Sequence, residues 1–418
     1  MLNSAAYQFD EYNFTSSKNY LLLFIVWPFL AFLTALANYC NKEARIIIYL
    51  FIIYYGLCYY VGQTFMDSYA YVLKLQENAS LPFSEIFNIF GSLYTDTSVD
   101  IVEPLISFIV SRFTSDYSFL FAAYAALFGF FYLKSINLLY FRYRINRNWN
   151  ALVFLIFFAL IIPVTTINGV RMWTAAWAFF YGAYHVILYR KGQYLILTIA
   201  SCLIHWSFVS ANVILLLYFF IGNRNFIYMP VTIASFIFPG AFLPFFTRFT
   251  IGGSMQSRIA GYTNLDYMTG VQESMEQVRS FVNLRYDFVF YYLIITVFFI
   301  KLIANNQVHE KPQNRLFSFI LLFLAFVNFG YGIPSFGGRF RIVFLLFAVT
   351  YIFLFFTKLR GTRYMFITLI GLIPMTLYVL VEFRIGAEVI NAWTFLPGFG
   401  MPLFVPGLSL AELFFSNG

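Results

Sequence analysis

The chain is dominated by apolar stretches, each about as long as a bilayer is thick and separated by short polar linkers. A helix crossing hydrocarbon needs roughly 20 apolar residues, and only a helix or a closed barrel satisfies its own backbone polar groups there. Segments 20–40, 44–62, 117–139, 149–165, 171–189, 226–246, 286–304, 315–332, 340–357 and 363–383 meet that length. Charged residues are 11% of the chain, against about 25% in soluble domains. The expectation is an all-α polytopic membrane protein, a single integral membrane domain over residues 1–418 with these ten segments as full spans.

Several function classes drop out early. Cys40, Cys58 and Cys202 lie in apolar runs with no metal or disulfide spacing. No phosphate-binding glycine loop occurs, which argues against ATP-driven transport. Residues 1–19 are polar, so the first apolar run, Leu21 to Leu36, is expected to act as an uncleaved signal anchor.

Segment 194–221 is long for one span and short for two. The linkers NKEAR, FRYRINRN, RKGQ, KLIANNQVHEKPQNR and KLRGTR are basic and belong on the cytoplasmic side. They share a side only if 194–221 enters and returns as a short re-entrant hairpin, turning near His205 and Trp206 on the outer face. That topology leaves nine arginines but two lysines outside. The loops were sorted on total positive charge, so this preference for arginine is an independent signal. A guanidinium presents a planar fork of donors suited to phosphate or carboxylate, which an ammonium does not.

Four outer pieces interrupt the spans. Residues 63–116 carry an amphipathic interfacial helix and a re-entrant apolar piece, IVEPLISFIV. Residues 247–285 form the longest hydrophilic loop, expected on the outer face. IPSFGGRFR, at 333–341, is expected to be a glycine turn that converges Arg339 and Arg341 on one place. The tail, 384–418, is apolar, rich in glycine and proline, and expected to lie against the outer, periplasmic surface.

Five short motifs occur in order along the chain. They are D-x-Y (Asp67, Tyr69), Glu103-Pro104, an N-x-x-R helix entrance (Asn168, Arg171), His205-Trp206-Ser207 in a broken apolar run, and R-x-x-x-Y (Arg258, Tyr262). Over roughly residues 45–345 this pattern resembles the EpsG/Wzy group of bacterial polysaccharide polymerases. At the N-x-x-R entrance Arg171 is followed by Met172, where the group usually has glutamine or an aliphatic residue.

The resemblance implies a GT-C-like membrane glycosyltransferase of the bacterial inner membrane, acting in O-antigen-type lipopolysaccharide synthesis with its active site facing the periplasm. Such proteins move a saccharide chain from undecaprenyl diphosphate to a lipid-linked repeat unit. A separate chain-length regulator is then an expected partner besides membrane lipid. No cofactor and no nucleic acid are expected. With no D-x-D motif, the expectation is metal-independent transfer with inversion.

Arg171 follows the Pro163-to-Gly169 break, where a helix N-terminus already offers free amides and a positive dipole end. A cation added there is unfavourable unless an anion neutralises both, which points to diphosphate. The plainer account is a snorkelling anchor at the helix end. Arg339, Arg341 and Arg258 are further candidates for phosphate, with Asn168, Tyr69 and Tyr262 beside them; each could instead be an edge or loop residue. His205, Glu103 and Asp67 compete as the group that takes the acceptor's proton, against the alternatives of a satisfied buried histidine, a helix cap or a solvated loop. A flippase for lipid-linked oligosaccharide, an O-antigen ligase and a membrane-bound O-acyltransferase are the rival readings.

Overall fold

The computed structural model describes residues 17–62, 67–91, 100–242, 282–303, 311–359, 364–405 and 407–415. The described residues are helical apart from turns and one isolated antiparallel bridge, Asn391 to Ser409. The chain opens with α1 (Ser17–Val26), α2 (Pro28–Ala37) and α3 (Lys42–Leu57), then the shorter helices α4 (Asp67–Ser80), α5 (Ile86–Gly91) and α6 (Val102–Ser111). The long α7 (Tyr117–Asn146) leads to α8 (Trp149–Ile161), a 3-10 turn (Val164–Gly169) and α9 (Val170–Tyr189). Next come α10 (Leu195–Ile204), α11 (Phe208–Ile221) and α12 (Asn225–Ile237). The second half holds α13 (Val282–Ile303), α14 (Lys311–Phe329), α15 (Pro334–Phe356), α16 (Met365–Gly386) and the terminal α17 (Leu410–Phe415).

Six described stretches are long and apolar enough to cross a membrane, one of them the broken pair of α8 and α9. The chain is thus a multi-pass membrane protein. Three expected spans take another form: for 44–62, α3 ends at Leu57 and has only 16 residues. Segment 20–40 divides at Trp27 into α1 and α2, because the Pro28 ring removes a backbone donor. The described part of 226–246 is helical to Ile237; its Gly240 and Phe242 amides then donate to Asn328 O and Phe329 O.

Packing sorts the helices by depth. Nearly all of α9 is buried and 89% of the apolar core of α15 is enclosed, as expected of helices that are apolar all round. On the rim, α16 is only 28% enclosed. Lipid tails are as apolar as leucine, so close approach of backbones at small residues matters more than burial itself. Gly182 of α9 is such a point: a Cβ there would sit 2.6 Å from Thr198 Cγ2 of α10.

The hairpin at 194–221 is present. Asn212 Nδ2 donates to Thr198 O at 2.8 Å, and Arg190 at the end of α9 donates to Phe219 O near the end of α11. Both contacts require α10 and α11 to run antiparallel, with His205 and Trp206 at the turn. The basic linkers also meet. Arg45 lies over the Phe141 ring, Arg142 donates to Tyr189, Arg315 to Leu188 O, Lys358 to Gln313, and Asn148 to Leu359 O. These five contacts join four of the linkers to one another and to the end of α9, from which RKGQ continues, at one end of the bundle.

The opposite end gathers the start of α9, the hairpin turn, the start of α15 and the end of α16 around one cavity. The tail packs at this same end: Trp27 Nε1 donates to Phe395 O, Tyr54 to Trp393 O, and the Tyr60 amide to Val389 O. The stretches expected to form an interfacial helix and a dipping piece are both helical, as α4 and α6, and these pack together.

Candidate functional site

The cavity has a volume of about 460 Å³, within the roughly 300–1,000 Å³ usual for ligand sites. Its position follows from one break in the chain. Pro163 cannot continue α8, and the residue before a proline disfavours helical geometry. The next turn is 3-10 and ends at Gly169, the N-cap of α9, which offers no side-chain cap. The first-turn amides of α9 therefore lack a capping side chain, and Asn168, Gly169, Arg171 and Met172 line the cavity. Asn168 Oδ1 is buried with no hydrogen-bond partner among the described residues.

Arg171 is not an isolated cation. Its NH1 donates to Asp100 Oδ2 at 3.0 Å, from a carboxylate only 2% exposed. Asp100 Oδ1 accepts from the Trp206 amide at 2.9 Å, and His205 Nδ1 lies 3.4 Å from Oδ2. Burial alone would raise the Asp100 pKa; the His205 ring, the Trp206 amide and the Arg171 guanidinium outweigh it and hold the carboxyl below its ordinary value. Tyr71 lies against Arg171 from α4, and burial raises its hydroxyl to about 12, so it stays neutral.

The two α15 arginines part company. The expected glycine turn is instead the first turn of a helix, because Pro334 at the N1 position is preset for helical backbone. Residues two apart on a helix face different ways. Arg339 is exposed and lines the cavity, with no ion-pair partner among the described residues. Arg341 turns away. Its NH1 meets Asp287 Oδ1 at 2.9 Å, and its guanidinium lies 3.8 Å from the Tyr331 ring centre and 4.6 Å from that of Phe290.

The carboxylate candidates also separate. Asp67 is exposed at the start of α4 and lines the cavity. Glu103 is buried off to one side: Oε2 accepts from Lys74 at 2.9 Å and Oε1 from Tyr124 at 3.2 Å. Tyr69 is half-buried on α4 and is not part of the lining, whereas Tyr71 is. Arg258, Tyr262 and nearly all of the loop 247–285 lie outside the described residues.

The far wall was not anticipated. It consists of Tyr286, Tyr378, Glu382 and Glu388, with Tyr286 donating to Glu382 Oε1 at 2.8 Å. Gly386 seats this wall directly on the 3-10 turn, since a Cβ there would lie 2.8 Å from Thr165 Cβ. The cavity thus combines an arginine-and-amide side able to hold an oxyanion with an aromatic and acidic side able to hold sugar hydroxyls. Among the described residues no cluster of histidine, cysteine and carboxylate has the arrangement of a metal site.

No curated protein and no solved structure matches the chain. A model of the EpsG family matches residues 64–395, from just before α4 through the cavity wall on α16 and into the tail; the chain belongs to the EpsG family.

Proposed function

We propose that the protein is a membrane glycosyltransferase that polymerises lipid-linked oligosaccharide repeat units. Family membership suggests a polysaccharide polymerase-type membrane protein. The observation that carries the finer reading is the meeting of Arg171, Asn168, His205 and Arg339 in one cavity.

In this reading the growing glycan arrives on undecaprenyl diphosphate, its diphosphate set against Arg339, Arg171 and the first-turn amides of α9. A sugar hydroxyl of the incoming repeat unit attacks the anomeric carbon from the opposite face. A glycosidic C–O bond forms as the anomeric bond to the diphosphate oxygen breaks, and configuration inverts. The hydroxyl proton passes to His205, and the bonding electron pair leaves with undecaprenyl diphosphate. That leaving group spreads its own charge, so fixed cations and amides supply the main electrostatic help. Asp67 is placed to hold acceptor hydroxyls, and Glu103 fastens α6 to Lys74 of α4.

The positive-inside rule puts the joined basic linkers in the cytoplasm. The cavity then faces the periplasm of a bacterial inner membrane, in a GT-C-like bundle whose shorter helices complete about ten crossings. A chain-length regulator would dock from that side.

A deletion strain tests the reading. Surface lipid should carry single repeat units, restored to long chains by the wild-type gene. Long chains left on undecaprenyl diphosphate would instead indicate a ligase, and loss of all exported repeats a flippase.

A further inference from the structure

We infer that Asp100 is the positioning residue of this site: a buried carboxylate, anchored by Arg171 and the Trp206 amide, that orients the His205 ring through Nδ1. The inference builds on the proposed glycan transfer for the purpose of that orientation, but the geometry stands apart from it.

Asp100 belongs to none of the sequence motifs, yet it lies against two residues that line the cavity, Arg171 and His205, 71 and 105 positions away in sequence. The backbone holds it there. The next residue, Ile101, donates its amide to Leu203 O at the end of α10, which docks the start of α6 on the hairpin. A carboxylate 2% exposed would be costly without donors, and here Arg171 NH1 and the Trp206 amide both donate to it, with His205 Nδ1 3.4 Å away.

A plain turn cap would need only Oδ1, the oxygen that accepts from Trp206. Oδ2 is turned instead toward Arg171 and His205. Glu103, one turn further along, is buried too but serves Lys74 and Tyr124. His205 Nδ1 is buried and has no hydrogen-bond partner among the described residues. Its separation of 3.4 Å from Oδ2 is a few tenths beyond an ordinary bond, a looseness common before substrate closes a site.

A ring held this way carries its neutral-state proton on Nδ1. Nε2 is then left with the lone pair that a base requires, and the carboxylate stabilises the imidazolium formed when the proton arrives. An asparagine would keep the shape and the acceptor for Trp206 while removing the charge that favours this tautomer.

The test uses full-length protein in lipid nanodiscs with ¹⁵N-labelled histidine, the other two histidines being assigned with His185→Gln and His309→Gln. Wild-type His205 should show the Nδ1–H tautomer, and Asp100→Asn should move it toward Nε2–H. Chain extension from a synthetic lipid diphosphate oligosaccharide should fall about 100- to 10,000-fold in kcat, the usual contribution of a placed base. KM for that donor should change much less, and Asp100→Glu should recover part of the rate. An unchanged tautomer in Asp100→Asn, or a rate lost only in proportion to folded protein, would overturn the inference. If the tautomer moves while His205→Ala still polymerises normally, Asp100 keeps its positioning role and the assignment of His205 as base fails.

Discussion

Arg339 and Arg341 lie two residues apart on α15, and the structure gives them opposite work. Arg339 reaches the cavity and has no ion-pair partner among the described residues. A charge-assisted hydrogen bond is worth about 1.5–3 kcal/mol, and each 1.4 kcal/mol is a factor of ten. Arg339→Ala should therefore lower kcat/KM for the lipid diphosphate donor by about 10- to 150-fold, with little change in thermal stability. Arg341 makes an ion pair with Asp287, which is 43% exposed, so solvent screens that pair to about 0.2–1 kcal/mol. Its two aromatic neighbours add about 0.5–2 kcal/mol, because the Arg341 side chain is only 12% exposed. Arg341→Ala should thus cost about 1–3 kcal/mol of stability, while the protein that stays folded polymerises at near wild-type rate. Extension of a fluorescent lipid-linked acceptor, divided by folded protein from fluorescence-detected size exclusion, measures both. Equal catalytic loss in the two variants at equal abundance would refute the division of roles.

Arg171→Ala should abolish chain extension in cells while single-repeat product persists; an unchanged polysaccharide ladder would remove Arg171 from the site. The Asp100 pKa is depressed in the fold, so its stabilisation is present above the unfolded carboxylate value, about 3.9, and is lost as pH falls through the folded one. The gap in melting temperature between wild type and Asp100→Asn should therefore be full at pH 7 and narrow below about pH 4; a constant gap down to pH 3 would show that the charge contributes nothing. Phe113, 85% exposed at the cavity end, and Trp149, 63% exposed at the basic end, test orientation. In a background without native cysteines, Phe113→Cys should react with an impermeant maleimide in intact spheroplasts and Trp149→Cys only after permeabilisation. The reverse pattern would invert the topology.

Much of the frame was legible because its signals are local. Pro163 and Gly169 mark the break that starts α9 and delivers Arg171 to the cavity. Span length and linker charge together required a turn at His205, and the contact of Asn212 with Thr198 bears it out. Pro28 was an equally local signal that the first apolar run is two helices, but the run's length masked it. Asp100 was illegible for a different reason. Its part in the site rests on contacts across 71 and 106 residues, and a carboxylate in a polar outer segment looks solvated until the fold buries it. Glu382 and Tyr286 were hidden likewise, each lying in or beside an apparently ordinary apolar span. The arginine pair of α15 was misplaced because two glycines suggested an extended turn, whereas Pro334 had already set the helix going.

The pairing of Arg171 with Asp100 changes how an anion would be held. A guanidinium beside free helix amides is expensive at a membrane edge, and an enzyme that left it bare would gain its full compensation on binding diphosphate. Such a site would grip the donor and the departing carrier alike, and uniform binding of that kind does nothing for the chemical step. With Asp100 already meeting Arg171, part of the compensation is made within the protein, and Glu382 on the facing wall further reduces the net attraction for anions. In the proposed transfer, Arg339 and the α9 amides would then supply a more modest hold, strong enough to place a diphosphate and weak enough to let the carrier go. By this logic Asp100→Ala should bind the free lipid diphosphate more tightly than wild type while turning over more slowly. Weaker binding in that variant would mean that Asp100 serves chiefly to keep Arg171 in place, not to temper its charge.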